Sequence, residues 1–80
     1  MKLTVLAFGI AKDIVGSRSI TVDLDAGTTV QDLCTFLEKQ YPGIKELASL
    51  GIAVNNEYAG MNDTLSQNDE IAIIPPVSGG

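Results

Sequence analysis

Leu3, Val5 and Ala7 alternate with Lys2, Thr4 and Leu6 at the start of the chain. That period of two is the signature of a strand with one buried face. Leu6 and Phe8 make the second face apolar too, so a strand over 2–8 is expected with its far end greasy on both sides. A second alternation over 19–24 puts Ile20, Val22 and Leu24 inward. Two sequential strands most simply pair as an antiparallel hairpin. Between them, 9–18 reads as a connection with a short helical or turn character around Lys12 to Val15. Asp25-Ala26-Gly27 reads as a turn, and Thr28-x-x-Gln31 has capping-box spacing. Val30, Leu33, Cys34, Leu37 and Tyr41 then follow at helical spacing over about three turns, and Pro42-Gly43 stops that helix.

The second half is shorter in its periods. Residues 44–50 suggest a helical turn packing Ile44, Leu47 and Leu50. Gly51 precedes a third strand over 52–55, Asn56-Glu57 a tight turn, and Tyr58-Ala59 the start of a short edge strand. Leu65 anchors a polar, turn-rich stretch over 60–68. Glu70 to Ile74 closes the series, with Ile71 and Ile73 on one face and Ala72 and Ile74 on the other.

The order β-β-α-β-(β)-β has one helix long enough to cover a sheet. The expected fold is α+β: a ubiquitin-like β-grasp domain over 1–74, with a mixed sheet of four or five strands covered on one face by one main helix. In that arrangement the first and last strands lie parallel at the centre. No second helix is available for the other face. Leu6, Phe8 and Ile74 point there by parity, with Tyr58 joining from the edge, so an apolar interface patch is expected beside the final segment.

Composition narrows the function classes. Eighty residues make one small domain with a modest core. A net charge of −5 disfavours nucleic acid and suits a basic protein partner. There is no histidine, which removes the usual general base and most zinc sites. The single cysteine, Cys34, permits neither an internal disulfide nor a cysteine cluster, and its place in the apolar stripe marks it as a buried, inert thiol. No metal or bound cofactor is expected. Apolar runs are too short for a membrane span, and a reducing, cytoplasmic setting is expected.

The chemistry is concentrated in Pro75-Pro76-Val77-Ser78-Gly79-Gly80. Two prolines stiffen this segment and lower the entropy lost on insertion into a partner. Six extended residues reach at most about 20 Å. Gly79 and Gly80 bring no side chain, so they fit a channel too narrow for a Cβ. A terminal carboxylate is a poor acyl donor and needs activation, most naturally adenylation with ATP. The chain holds neither a phosphate loop nor a histidine for that task, so an activating partner must use the ATP.

The stretch from Asp69 to the Pro-Pro-Val-Ser-Gly-Gly ending resembles the small-subunit family of molybdopterin synthase, a family of ubiquitin-like sulfur carriers. Val54-Asn55-Asn56-Glu57 resembles that family's Val-Asn turn. The stretch from Leu6 to Asp13 resembles its Phe-containing first strand and the segment that follows. Lys12-Asp13 stands where the family often has Arg-Glu; lysine keeps the charge but lacks the forked donor geometry. The resemblance implies that Gly80 is adenylated by an E1-like adenylyltransferase and converted to a thiocarboxylate with sulfur from a sulfurtransferase. It implies insertion of residues 75–80 into the large subunit of molybdopterin synthase, within a heterotetramer, and sulfur transfer to cyclic pyranopterin monophosphate. The family's apolar contact surface maps onto Phe8, Tyr58 and Ile74. The chain would then be a working part of a sulfurtransferase and not catalytic alone. A thiamine-synthesis sulfur carrier, a protein modifier joined to lysines through Gly80, and a plain interaction module remain the competing readings.

Overall fold

The structure is a computed structural model, and it describes residues 1–45 and 51–74. Its elements are β1 (Lys2–Ala7), α1 (Gly9–Val15), β2 (Ser19–Asp23), α2 (Val30–Gln40), α3 (Pro42–Lys45), β3 (Gly51–Val54), β4 (Glu57–Tyr58) and β5 (Glu70–Ile74). The five strands form one sheet in the order β2-β1-β5-β3-β4. β1 pairs antiparallel with β2 and parallel with β5, so the first and last strands are central neighbours, as the element order led us to expect.

One face of this sheet is closed. Leu3, Val5 and Ala7 of β1 and Ile71 and Ile73 of β5 join Val30, Leu33 and Leu37 of α2 in a single core cluster. Each of these eight side chains is essentially inaccessible to solvent. Ile52, Ile44 and the loop anchor Leu65 belong to the same cluster, with Ala11, Val22 and Cys34. Cys34 lies on the buried side of α2, as its position in the apolar stripe indicates.

Three local readings need correction. The connection after β1 is a two-turn helix, α1: the helical reading around Lys12 to Val15 holds, but the helix begins earlier, at Gly9. Its apolar stripe is faint because only Ala11 is fully buried, with Ile14 and Val15 half-buried. Its end is nevertheless written in the chain: Gly16 sits at φ 85°, and its N–H donates to the Lys12 carbonyl at 2.8 Å.

The capping box is set one residue later than Thr28 and Gln31. Thr29 is the N-cap; its hydroxyl accepts from the Asp32 N–H at 3.2 Å, and its own N–H donates to the Asp32 carboxylate at 3.1 Å. A carboxylate in the first turn also meets the positive end of the helix dipole, which the Gln31 amide could not match. Thr28 instead donates its hydroxyl to the Asp25 carbonyl at 2.6 Å, closing the preceding turn.

The turn after β3 is centred on Asn55-Asn56, not on Asn56-Glu57. Both asparagines have positive φ, 52° and 73°, as a two-residue type I′ hairpin turn requires. Asparagine tolerates that region and glutamate does not. Tyr58 therefore belongs to β4, paired with Ala53. Pro42 ends α2 and also opens α3, where its missing N–H costs nothing. Ile44 is buried as expected, while Leu47 and Leu50 lie outside the described residues.

Candidate functional site

The other face of the sheet carries the candidate site. Its floor follows from strand register. Leu6 pairs with Ala72, Ala72 with Ala53, and Ala53 with Tyr58, so these four residues form one row across β1, β5, β3 and β4. The next row towards the end of β5 is Ile74 paired with Gly51. Phe8 has extended backbone, with φ −128° and ψ 154°. It therefore continues the alternation of β1 and stands beside Ile74 at the same end. Thr4 paired with Glu70 closes the patch on the opposite side with polar groups.

The patch is apolar and open. Tyr58 is 78% exposed and Phe8 49%. Leu6, Ala72 and Ile74 are half-buried with no helix over them among the described residues. Large side chains stand at its margins and small ones at its centre: Gly51, Ala53 and Ala72 contribute at most a methyl group each. The structure thus gathers Phe8, Tyr58 and Ile74 on one face.

Pro75, Pro76, Val77, Ser78, Gly79 and Gly80 lie outside the described residues. Ile74, the last described residue, ends a central strand within the patch itself.

The small central residues were not foreseen as part of the site. Their signal was available in the parity of Ala72 with Ile74 and became readable for Ala53 only once the Asn55-Asn56 turn fixed the register of β4. Ile10 and Met61 are also exposed apolar residues without a place in the expected patch.

Among the described residues no group of three His, Cys, Asp or Glu side chains is placed to hold a metal. No described helix is long and apolar enough to cross a membrane. The Cys34 thiol is buried on the closed face, and burial, followed by the neighbouring Glu38 charge, pushes its pKa up. A thiol held neutral is a poor nucleophile, so sulfur chemistry on this chain has no handle there.

Residues 5–80 match the model of the ThiS family. The chain belongs to the ThiS family. A molybdopterin synthase sulfur carrier subunit from Dictyostelium discoideum is 40% identical over 80 residues, covering 95% of this chain and 93% of that one. Among solved structures, SAMP1 from Haloferax volcanii superposes with a TM-score of 0.88 at 27% identity over the full length of both chains. A chain from the complex of subunits 1 and 2 of the molybdopterin-converting factor of Helicobacter pylori matches at a TM-score of 0.71 and 27% identity, again over both full lengths. The architecture is therefore the ubiquitin-like β-grasp. The match over residues 5–80 takes in the apolar patch from Leu6 onward and the Gly-Gly ending.

Proposed function

We propose that this chain is the sulfur-carrying small subunit of molybdopterin synthase. The observation that carries the reading is full-length similarity to sulfur carrier subunits of that enzyme, reaching 40% identity. The Gly79-Gly80 ending supplies the chemistry. An E1-like adenylyltransferase uses ATP to convert the Gly80 carboxylate to an acyl adenylate. A sulfurtransferase supplies the sulfur that displaces AMP and leaves a thiocarboxylate. The large subunit receives this end in its active site, where the sulfur passes to cyclic pyranopterin monophosphate.

In this role the chain is a tethered reagent. Residues 1–74 dock, residues 75–80 reach, and the catalytic groups belong to the partners. The likeness to one chain of a two-subunit molybdopterin-converting factor supports a large-subunit partner. The patch of Phe8, Tyr58 and Ile74 is its docking face on this reading, because burying a half-exposed apolar patch beside the exit of the tail stabilises the complex and aims the tail together. The buried Cys34 fits, since the sulfur travels on the C-terminal carbonyl and not on a thiol of the chain.

One test removes the last residue. Deleting Gly80 abolishes molybdopterin formation while the domain keeps its fold and its large subunit. Normal synthesis by the truncated protein would refute the proposal. Intact mass of protein from its host should show a species heavier by the difference between sulfur and oxygen. The likeness to SAMP1, a small archaeal modifier protein, favours a second role as a protein modifier. A ladder of Gly80-dependent conjugates in cell extracts would establish it.

A further inference from the structure

We infer that Gly51 is a positioning residue for the docking face, acting through the Tyr58 ring; the inference rests on the reading of that face as a docking surface. Tyr58 stands on a two-residue edge strand and is 78% exposed, so ordinary packing does little to hold its ring. Three features of β3 and its turn hold it instead. The positive-φ asparagines of the turn place Tyr58 opposite Ala53 on the uncovered face. Ala53 is short enough for the ring to pass. Gly51 then leaves the space the ring occupies: a Cβ built there would lie 3.1 Å from Tyr58 Cε1 and 3.6 Å from Ile74 Cβ.

One edge of the ring, at Cε1, therefore lies against Gly51 on the side of Ile74, while the rest of the side chain stays open to solvent. Ala53 is only 7% exposed although no described helix covers its face, which fits a neighbour lying over it. Held this way, the Tyr58 ring and the Ile74 side chain present one continuous apolar surface. A ring already in its bound pose loses less freedom on association. A Cβ at residue 51 would displace the ring, because 3.1 Å is tighter than ordinary van der Waals contact. The ring is exposed and can swing aside, so the displacement alters docking while leaving the core alone.

The test is a double-mutant cycle on the full chain with the large subunit, using Gly51→Ala, Tyr58→Ala and both together. Gly51→Ala should weaken binding on the order of fivefold in the parent chain and have no effect in the Tyr58→Ala background. Its melting temperature should stay the same or rise, since alanine is better than glycine within a strand. Equal weakening in both backgrounds, or native binding by Gly51→Ala, would overturn the inference. In the free parent protein, nuclear Overhauser effects should join the Tyr58 ring protons to the Gly51 Hα protons; their absence would refute the ring pose directly. A parent chain that fails to bind the large subunit would instead remove the docking reading, a failure the Overhauser effects distinguish because they need no partner.

Discussion

The two faces of one sheet have been built to opposite specifications. On the closed face large aliphatic residues interlock with α2: Leu3, Val5, Ile71 and Ile73 against Val30, Leu33 and Leu37, none meaningfully exposed. On the open face the centre is stripped to Gly51, Ala53 and Ala72, and bulk is pushed to Leu6, Phe8, Ile74 and Tyr58. The same strands supply both faces, one residue apart. The first face stabilises the domain by removing area from water on folding. The second leaves part of its apolar area exposed, the area proposed for docking. On that reading, stability and recognition are separated by parity.

Neighbouring residues of β5 give the sharpest way to break that comparison. Ile73→Asp buries a lone carboxylate in the core and should cost on the order of 4–5 kcal/mol, enough to unfold much of a small domain; chemical denaturation measures it. Ile74→Asp, one residue away, should leave the domain folded, yet weaken docking to the large subunit by about 2 kcal/mol or more by calorimetry. Equal effects of the two changes on stability would erase the distinction between the faces. Thr29→Ala should cost about 1 kcal/mol by loss of the true N-cap. Gln31→Ala should stay within about 0.5 kcal/mol, as expected of a surface change, and a larger loss there would restore the Thr28–Gln31 box.

The smallest effect comes from Cys34. Its folded pKa lies above the unfolded thiol's, so the unfolded chain gives up its proton first as pH rises. Stability from this group is whole below the unfolded value, about 8.5, and declines from there up to the raised folded pKa. Denaturation curves between neutral pH and mild alkali should show that decline, and Cys34→Ala should lack it. An unchanged slope in the variant would place the alkaline sensitivity elsewhere.

Much of this was legible in the chain. The alternation of Leu3, Val5 and Ala7, the helical spacing of Val30, Leu33, Cys34 and Leu37, and the two faces of β5 are all periodic, and periodicity is what burial imposes. The element order then led to the mixed sheet with β1 and β5 at its centre. What escaped was local and set by competition. Two adjacent threonines each had a polar partner three residues on, and the carboxylate won over the amide. Three residues competed for a two-residue turn, and the two asparagines won because positive φ suits them. The start of α1 at Gly9 escaped because a seven-residue helix needs only one fully buried residue, Ala11. For the site, strand parity marked Leu6, Phe8 and Ile74 from the chain alone. The role of Gly51 was invisible there, because it depends on where a ring on the neighbouring strand, two residues out of register, comes to lie.

The central place of β5 has a mechanical consequence. Because Ile74 ends a strand flanked by β1 on one side and β3 on the other, a pull on the C-terminal segment is borne along two ladders at once. Tension applied in line with the strand loads their hydrogen bonds together, in shear, instead of peeling them singly as it would from an edge. On the proposed reading, a segment drawn into a partner's passage would thus be anchored on a strand held by two ladders.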